Sequence, residues 1–187
     1  MILAILNKIT TSIGFSLIII SNIFTISLQQ FLIPLKGFSC GKEKLDNYLH
    51  KQASQDVKRK LCVVFAMFED TIIKGYYTLS SASIPSMLVP EDFRKKMPKS
   101  YESLPVTLLG RLAIDSKFKG NGLGGIILLD ALKRSYEIAN QSLGSIGIVV
   151  DPLDDDAVAF YEKFGFILLP DSGKMFLPMS DIAQLTL

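Results

Sequence analysis

The chain has no tryptophan, one histidine and two cysteines among 187 residues. His50 follows the apolar pair Tyr48 and Leu49 on an expected helix, so it reads as a surface position rather than a catalytic base. Cys40 and Cys62 form no C-x-x-C pair and have no neighbouring histidine. A zinc site is therefore not expected, and no other metal is. Two cysteines suit a reducing compartment, so the expected location is cytoplasmic. Cys62, inside "LCVVFAMF", is expected to be a small buried hydrophobe. No sign of charge dominates either: 20 basic residues face 18 acidic ones. A net charge of +2 is too small to argue for nucleic acid by itself. Basic character is local, in Lys58–Lys60 and in Arg94, Lys95, Lys96 and Lys99. Taken alone, each cluster reads as a solvated face beside a loop.

Charge is absent altogether from residues 9–28, "ITTSIGFSLIIISNIFTISL". Twenty such residues just cross a bilayer. Seven Ser/Thr and one Asn weaken that reading, and no small-residue cleavage site follows. A membrane anchor, an uncleaved signal-like segment and an extension outside the working protein compete. The extension is favoured, because a complete domain can be read from residue 29 onward. The expected organisation is thus an apolar segment, 1–28, and one domain, 29–187. Any membrane contact would run through 9–28 alone.

Within 29–187 the periodicity switches often. "QQFLIPLK" reads as a short strand. Leu45, Tyr48, Leu49 and Ala53 make a helical stripe. "LCVVFAMFE" and "TIIKGYYTLSSASI" should form a hairpin turning near Asp70. Four prolines then punctuate a polar, basic connection. "VTLLGRLAID" is a further strand, residues 123–140 a helix, and "SIGIVVD" a buried strand. "DDDAVAFYEKFGF" is a short helix capped by Asp154 or Asp155 and ended by Gly165. Two strands close the chain around a turn at 171–173. The order β-α-β-β-β-α-β-α-β-β makes a mixed α/β sheet flanked by helices.

Gly120, Gly122 and Gly125 fall on G-x-G-x-x-G. The dinucleotide reading fails on context. "SKFK" separates the strand from the first glycine, and only 36 residues follow Asp151, too few for the further βα units. A P-loop is excluded because no Gly-Lys-Ser/Thr occurs. Two readings remain: a glycine turn opening an apolar helix, or main-chain N–H groups and a helix N-terminus arranged around a phosphate. Lys117 and Lys119 would add local charge.

The run strand, "KFKGNGLGG", apolar helix, strand, "DDAVAFYEKFGF" resembles the GNAT-type N-acetyltransferases, over about residues 29–180. "GFSCGKEKLDNYLHKQASQD", "IKGYYTLSSASI", "LPVTLLGRLAID" and "MFLPM" bring it closer to the acetyltransferase toxins of bacterial toxin–antitoxin pairs. The resemblance implies the GNAT acyl-CoA N-acyltransferase fold, with a mixed, mostly antiparallel sheet. It implies acetyl-CoA as cosubstrate and aminoacyl-tRNA as acceptor, whose acetylation blocks translation. It also implies a ribbon-helix-helix antitoxin and a homodimer. The alternative is an N-acetyltransferase of a small amine or a protein, without a toxin role.

Matched to the family pattern, main-chain groups of Leu112, Ala113 and Ile114 hold the acetyl and pantetheine parts. Lys117, Lys119, Gly120, Asn121, Gly122, Leu123 and Gly124 surround the diphosphate. The family's loop begins with Gln or Arg, and Lys117 departs from that. Tyr161 matches the catalytic tyrosine that assists the departing sulfur. From periodicity alone Tyr161 is equally a core residue beside Ala157, Phe160 and Phe164. Arg111, sharing a face with Thr107, Leu109 and Ala113, is either an ion-paired sheet residue or a contact to RNA phosphate. Arg94, Lys95 and Lys96 are further RNA-binding candidates. The strand carries no glutamate, and Asp115 is only at its end. The absence of an evident base favours an α-amine, which titrates near 8, over a lysine side chain near 10.4.

Overall fold

The computed structural model describes residues 25–27 and 37–186. The expected strand in "QQFLIPLK" and the apolar stretch ahead of Thr25 lie outside the described residues. Two units divide the described residues: one gathers those up to Ser80 with Gly110–Ala131, the other Ser81–Leu109 with those from Leu132 onward.

The first unit is built on antiparallel strands. β1 (Thr25–Ser27) pairs with β2 (Val63–Glu69), so the sheet begins upstream of residue 29. β2 pairs with β3 (Ile72–Pro85) through the hairpin expected at Asp70, whose φ of 53° suits an aspartate in a tight turn. The final residues of β4 (Ser103–Ile114) lie next to β3. Gly75 allows that approach: a Cβ there would stand 2.6 Å from Ile114 Cδ1 and 2.9 Å from the Ala113 carbonyl oxygen.

The expected stripe helix of this unit, α1, has an irregular middle. Glu43–Asn47 and Ala53–Lys58 are α-helical, and a π turn, Tyr48–Gln52, joins them. The wider turn puts the neighbours Tyr48 and Leu49 inward together while His50 stays exposed. Tyr48, Leu49, Ala53 and Val57 pack on Val64, Ala66, Tyr76 and Ala113. Of the two cysteines it is Cys40 that is fully buried; Cys62 is only half-buried against this cluster.

In the second unit the strand order is β3-β4-β5-β7-β6. β5 (Gly147–Val150) runs parallel to β4, Thr107 opposite Ile148, and antiparallel to β7 (Met175–Pro178). β6 (Ile167–Leu168) pairs with β7 at the edge. All four β5 residues are buried, which explains why "GIVV" is apolar without alternation. The proline-rich connection holds a short helix, α2 (Glu91–Arg94). Phe93 anchors it edge-on to Phe176 at 5.7 Å. α3 (Leu123–Gln141) spans the expected helix, with residues in both units. α4 (Asp155–Glu162) is capped by Asp154, whose side chain accepts from Ala157 N at 3.0 Å, and stops before Gly165 at φ 86°. A closing helix, α5 (Met179–Thr186), was not legible from "KMFLPM" and follows β7 directly. Among the described residues no helix is long and apolar enough to cross a membrane.

Candidate active site

In the first unit, β4 ends at Ile114 and Asp115 turns the chain. The Asp115 carboxylate is buried and accepts from two main-chain N–H groups, Lys117 at 2.9 Å and Ser39 at 2.9 Å. It thereby starts the 3₁₀ turn Ser116–Phe118 and ties it to the chain entering α1. Ser116 N donates back to the Ser39 carbonyl, and Asp115 N to the Lys74 carbonyl. Lys74 Nζ lies 5.0 Å from the centroid of Phe118. An aspartate so engaged positions a loop. It is not a free base.

The same strap engages Cys40. Its main-chain N–H donates to Asp46 Oδ1 at 2.8 Å, and its carbonyl accepts from Lys119 Nζ at 2.7 Å. Burial, with the Asp46 carboxylate beside it, pushes the Cys40 thiol up to about 11. Partial burial opposes ionisation of Asp46, but hydrogen bonds from Cys40 and Ser39 outweigh it and hold that carboxyl below its ordinary range. Lys119 thus spends one donor on the protein rather than serving only as loose charge. Lys117 is exposed, and its own N–H is the one Asp115 accepts.

Past Lys119 the backbone takes left-handed values at Gly120 (φ 83°) and Gly122 (φ 72°). Nothing stands within 4 Å of a Cβ at Gly120, so the dihedral, not crowding, calls for glycine there. α3 begins at Leu123, and the N–H groups of Gly125 and Ile126 already point to the Gly122 carbonyl. The N–H groups before them have no partner one turn back, as at any helix start. With the positive end of the helix they offer an anion a ready seat. Leu112 to Gly124, all the cofactor candidates, form one continuous run in this unit.

Arg111 lies on the face shared with Ala113, as alternation required. Its Cζ stands 3.4 Å from the centroid of Tyr48. Among the described residues no carboxylate pairs with it, so the ion-paired reading gives way to a cation on an aromatic ring. Tyr48 itself is buried, with its hydroxyl 3.2 Å from Cys62 Sγ. Burial, and then Cys62, push its phenol above the ordinary value.

Tyr161 belongs to the second unit. Its ring meets Phe160 edge-on at 5.2 Å and Phe166 at 5.2 Å. Only 7 % of the residue is exposed. Among the described residues its hydroxyl has no hydrogen-bond partner, and no buried side-chain oxygen is left unpaired. The hydroxyl is therefore at a solvent-reached surface while the ring is enclosed. Burial pushes its pKa above the usual 10, so the group remains a neutral donor across the working pH range. In the same unit Arg94, Lys95 and Lys96 are all exposed. Lys95 is held by Glu91 at 3.1 Å. Among the described residues there is no group of His, Cys, Asp and Glu able to hold a metal.

The family model described as "Acetyltransferase (GNAT) family" matches residues 38–166. The chain belongs to that family. It is 38% identical over 150 residues to a tRNA-acetylating toxin of Mycobacterium tuberculosis, a match covering 80% of this chain and 88% of that protein. The fold is also that of AtaT solved with acetyl-methionyl-tRNAfMet, with TM-score 0.81, 26% identity, and 88% and 99% of the two chains covered. A tyrosine-to-phenylalanine mutant of the AtaT toxin, bound to the C-terminus of the antitoxin AtaR, matches with TM-score 0.73 and 25% identity, over 87% of this chain and 96% of that one. The mixed, mostly antiparallel sheet is thus a GNAT sheet. The Asp115–Ser39 strap and the Tyr48 platform were missed in the sequence. The strap had one local signal, an aspartate opening "DSKF" as an N-cap does. Tyr48 had none beyond its place in an apolar stripe.

Proposed function

We propose that this GNAT enzyme transfers the acetyl group of acetyl-CoA to the α-amino group of an aminoacyl-tRNA and so blocks translation. The observation that carries this reading is the 38% identity, across four-fifths of the chain, to a tRNA-acetylating toxin. The main-chain amides around Gly120 to Gly124 hold the diphosphate, and those of Leu112 to Ile114 hold the pantetheine and acetyl end. The amine nitrogen attacks the thioester carbonyl carbon, the C–S bond breaks, sulfur leaves with the electron pair as a thiolate, and the proton displaced from nitrogen passes to solvent.

Tyr161 donates a hydrogen bond to that sulfur. A thiol titrates near 8.5 and an ordinary phenol near 10, so full transfer from the phenol already runs uphill by about 2 kcal/mol. Burial raises the phenol further and makes outright transfer less favourable still. The group stabilises developing charge without surrendering its proton. No carboxylate of the cofactor strand is free to act as base, since Asp115 is engaged twice by main-chain N–H groups. An α-amine, neutral in useful amounts near pH 8, needs no strong base. Arg94, Lys96 and Arg111 contact RNA phosphate. A ribbon-helix-helix antitoxin and a second copy of the chain are the protein partners, and the enzyme works in the cytoplasm.

Incubating the purified protein with labelled acetyl-CoA and total charged tRNA, then releasing the amino acids with mild base, tests this. Labelled N-acetyl amino acid is expected. Label only on proteins or on small amines would replace the reading by that of an ordinary N-acetyltransferase.

A further inference from the structure

Arg111 is a half-buried cation without a counter-charge. Among the described residues no ion pair and no hydrogen bond engages its guanidinium. Leaving a cation desolvated and unpaired is costly. What offsets that cost is the buried ring of Tyr48, 3.4 Å beneath Cζ. A guanidinium standing on edge at that height would push a nitrogen to within roughly 2.7 Å of the ring, given C–N bonds of about 1.33 Å. The group must therefore lie flat, with its in-plane N–H fork directed past the ring edge. The ring is fixed in turn. The π turn of α1 aims it inward, Cys62 Sγ lies 3.2 Å from its hydroxyl, and the Tyr76 ring stacks with it at 6.4 Å between centroids.

We infer that Tyr48 is a positioning residue, holding Arg111 as a flat, bidentate seat for an oxyanion, the phosphodiester beside the amino acid at the 3′ end of the charged tRNA. A flat fork with unclaimed donors matches two oxygens of one phosphate. Arg111 precedes Ile114 by three residues, about 10 Å of strand, and so lies upstream of the diphosphate loop. This assigns it to the acceptor rather than to the coenzyme. In an aminoacyl ester the carboxyl carries no charge, so the nearest anion to the amine is the terminal phosphodiester. The inference rests on the aminoacyl-tRNA reading.

Steady-state kinetics on the full chain at two salt concentrations separate the two. For Arg111→Ala and Arg111→Lys, KM for charged tRNA should rise about tenfold while KM for acetyl-CoA stays within twofold. For Arg111→Ala the slope of log KM against log salt should fall by about one. Tyr48→Leu should match Arg111→Lys and add little to it in the double variant. Tyr48→Phe, which conserves the ring, should restore most of what Tyr48→Leu loses. If Tyr48→Leu does not fold, Arg111→Lys and Tyr48→Phe decide. Full function of Arg111→Lys, or a shift confined to KM for acetyl-CoA, would overturn the inference. So would Arg111-dependent acetylation of a free amino acid with an unchanged salt slope, which would make the anion a carboxylate. Absence of any acetylated charged tRNA with the wild-type chain would instead defeat the functional reading itself.

Discussion

In the proposed reading, the first unit would meet the coenzyme with main chain, in a loop held in place by polar side chains. Asp115, Lys119 and Asp46 bind the strap of residues 39–40, and two left-handed glycines set the direction of the amides. The catalytic candidate of the second unit is a single side chain, Tyr161, a phenol whose ring is boxed by Phe160 and Phe166 and whose hydroxyl has no partner among the described residues. Binding by amides survives many side-chain changes but not a change of backbone dihedral. Catalysis by a single phenol has the opposite sensitivity. Substitutions in the two units should therefore separate affinity from rate.

The largest effect belongs to the second unit. Tyr161→Phe should lower kcat by about 10²–10³ while KM for acetyl-CoA changes little. Because burial raises the phenol, no fall in kcat assignable to this tyrosine should occur up to pH 10. A limb near pH 8 that vanishes in Tyr161→Phe would break the comparison, since it would require an acidic phenol.

In the first unit Gly120→Val should weaken acetyl-CoA binding about tenfold or more, because a β-branched residue at φ 83° is strained even in open space. Asp115→Ala should cost about 2–3 kcal/mol in chemical denaturation by orphaning two N–H groups, and should weaken the coenzyme as the loop loosens. If Asp115→Ala instead changed only the pH dependence of kcat, the carboxylate would be a base after all.

Smaller effects sharpen the picture. Arg94→Ala with Lys96→Ala should raise KM for charged tRNA severalfold at low salt and flatten its salt dependence. The least change concerns Cys40. Its thiol keeps its proton to about 11 in the fold, against 9.0 for an ordinary thiol. Above pH 9 the unfolded chain releases a proton that the native chain retains, so stability falls as pH rises from 9 to 11, by at most about 2 kcal/mol. Denaturation of Cys40→Ala should show a shallower fall across that window.

Much of this was legible in the sequence where a local rule and the tertiary structure agree. Asp154 caps α4 and Gly165 ends it, Asp70 turns the hairpin, and residues 123–140 are helical as the apolar run suggested. What escaped depends on contacts distant in the chain. Asp115 reaches Ser39 across 76 residues, and Lys119 reaches Cys40 across 79. Nothing in "LDNYLH" marks a π turn, and periodicity gives Tyr48 and Tyr161 the same apolar-stripe signature although one supports a cation and the other keeps a hydroxyl without a partner among the described residues. Cys62 sits in as apolar a run as any core residue, yet it is only half-buried against its cluster, with its Sγ 3.2 Å from the Tyr48 hydroxyl.

Calorimetric titration of acetyl-CoA into Tyr161→Phe and Gly120→Val, side by side with the wild-type chain, tests the division of labour most directly. Tyr161→Phe should bind with wild-type affinity and Gly120→Val should give little or no heat. The reverse pattern, with binding lost on removing the phenol and kept on distorting the glycine turn, would contradict the account.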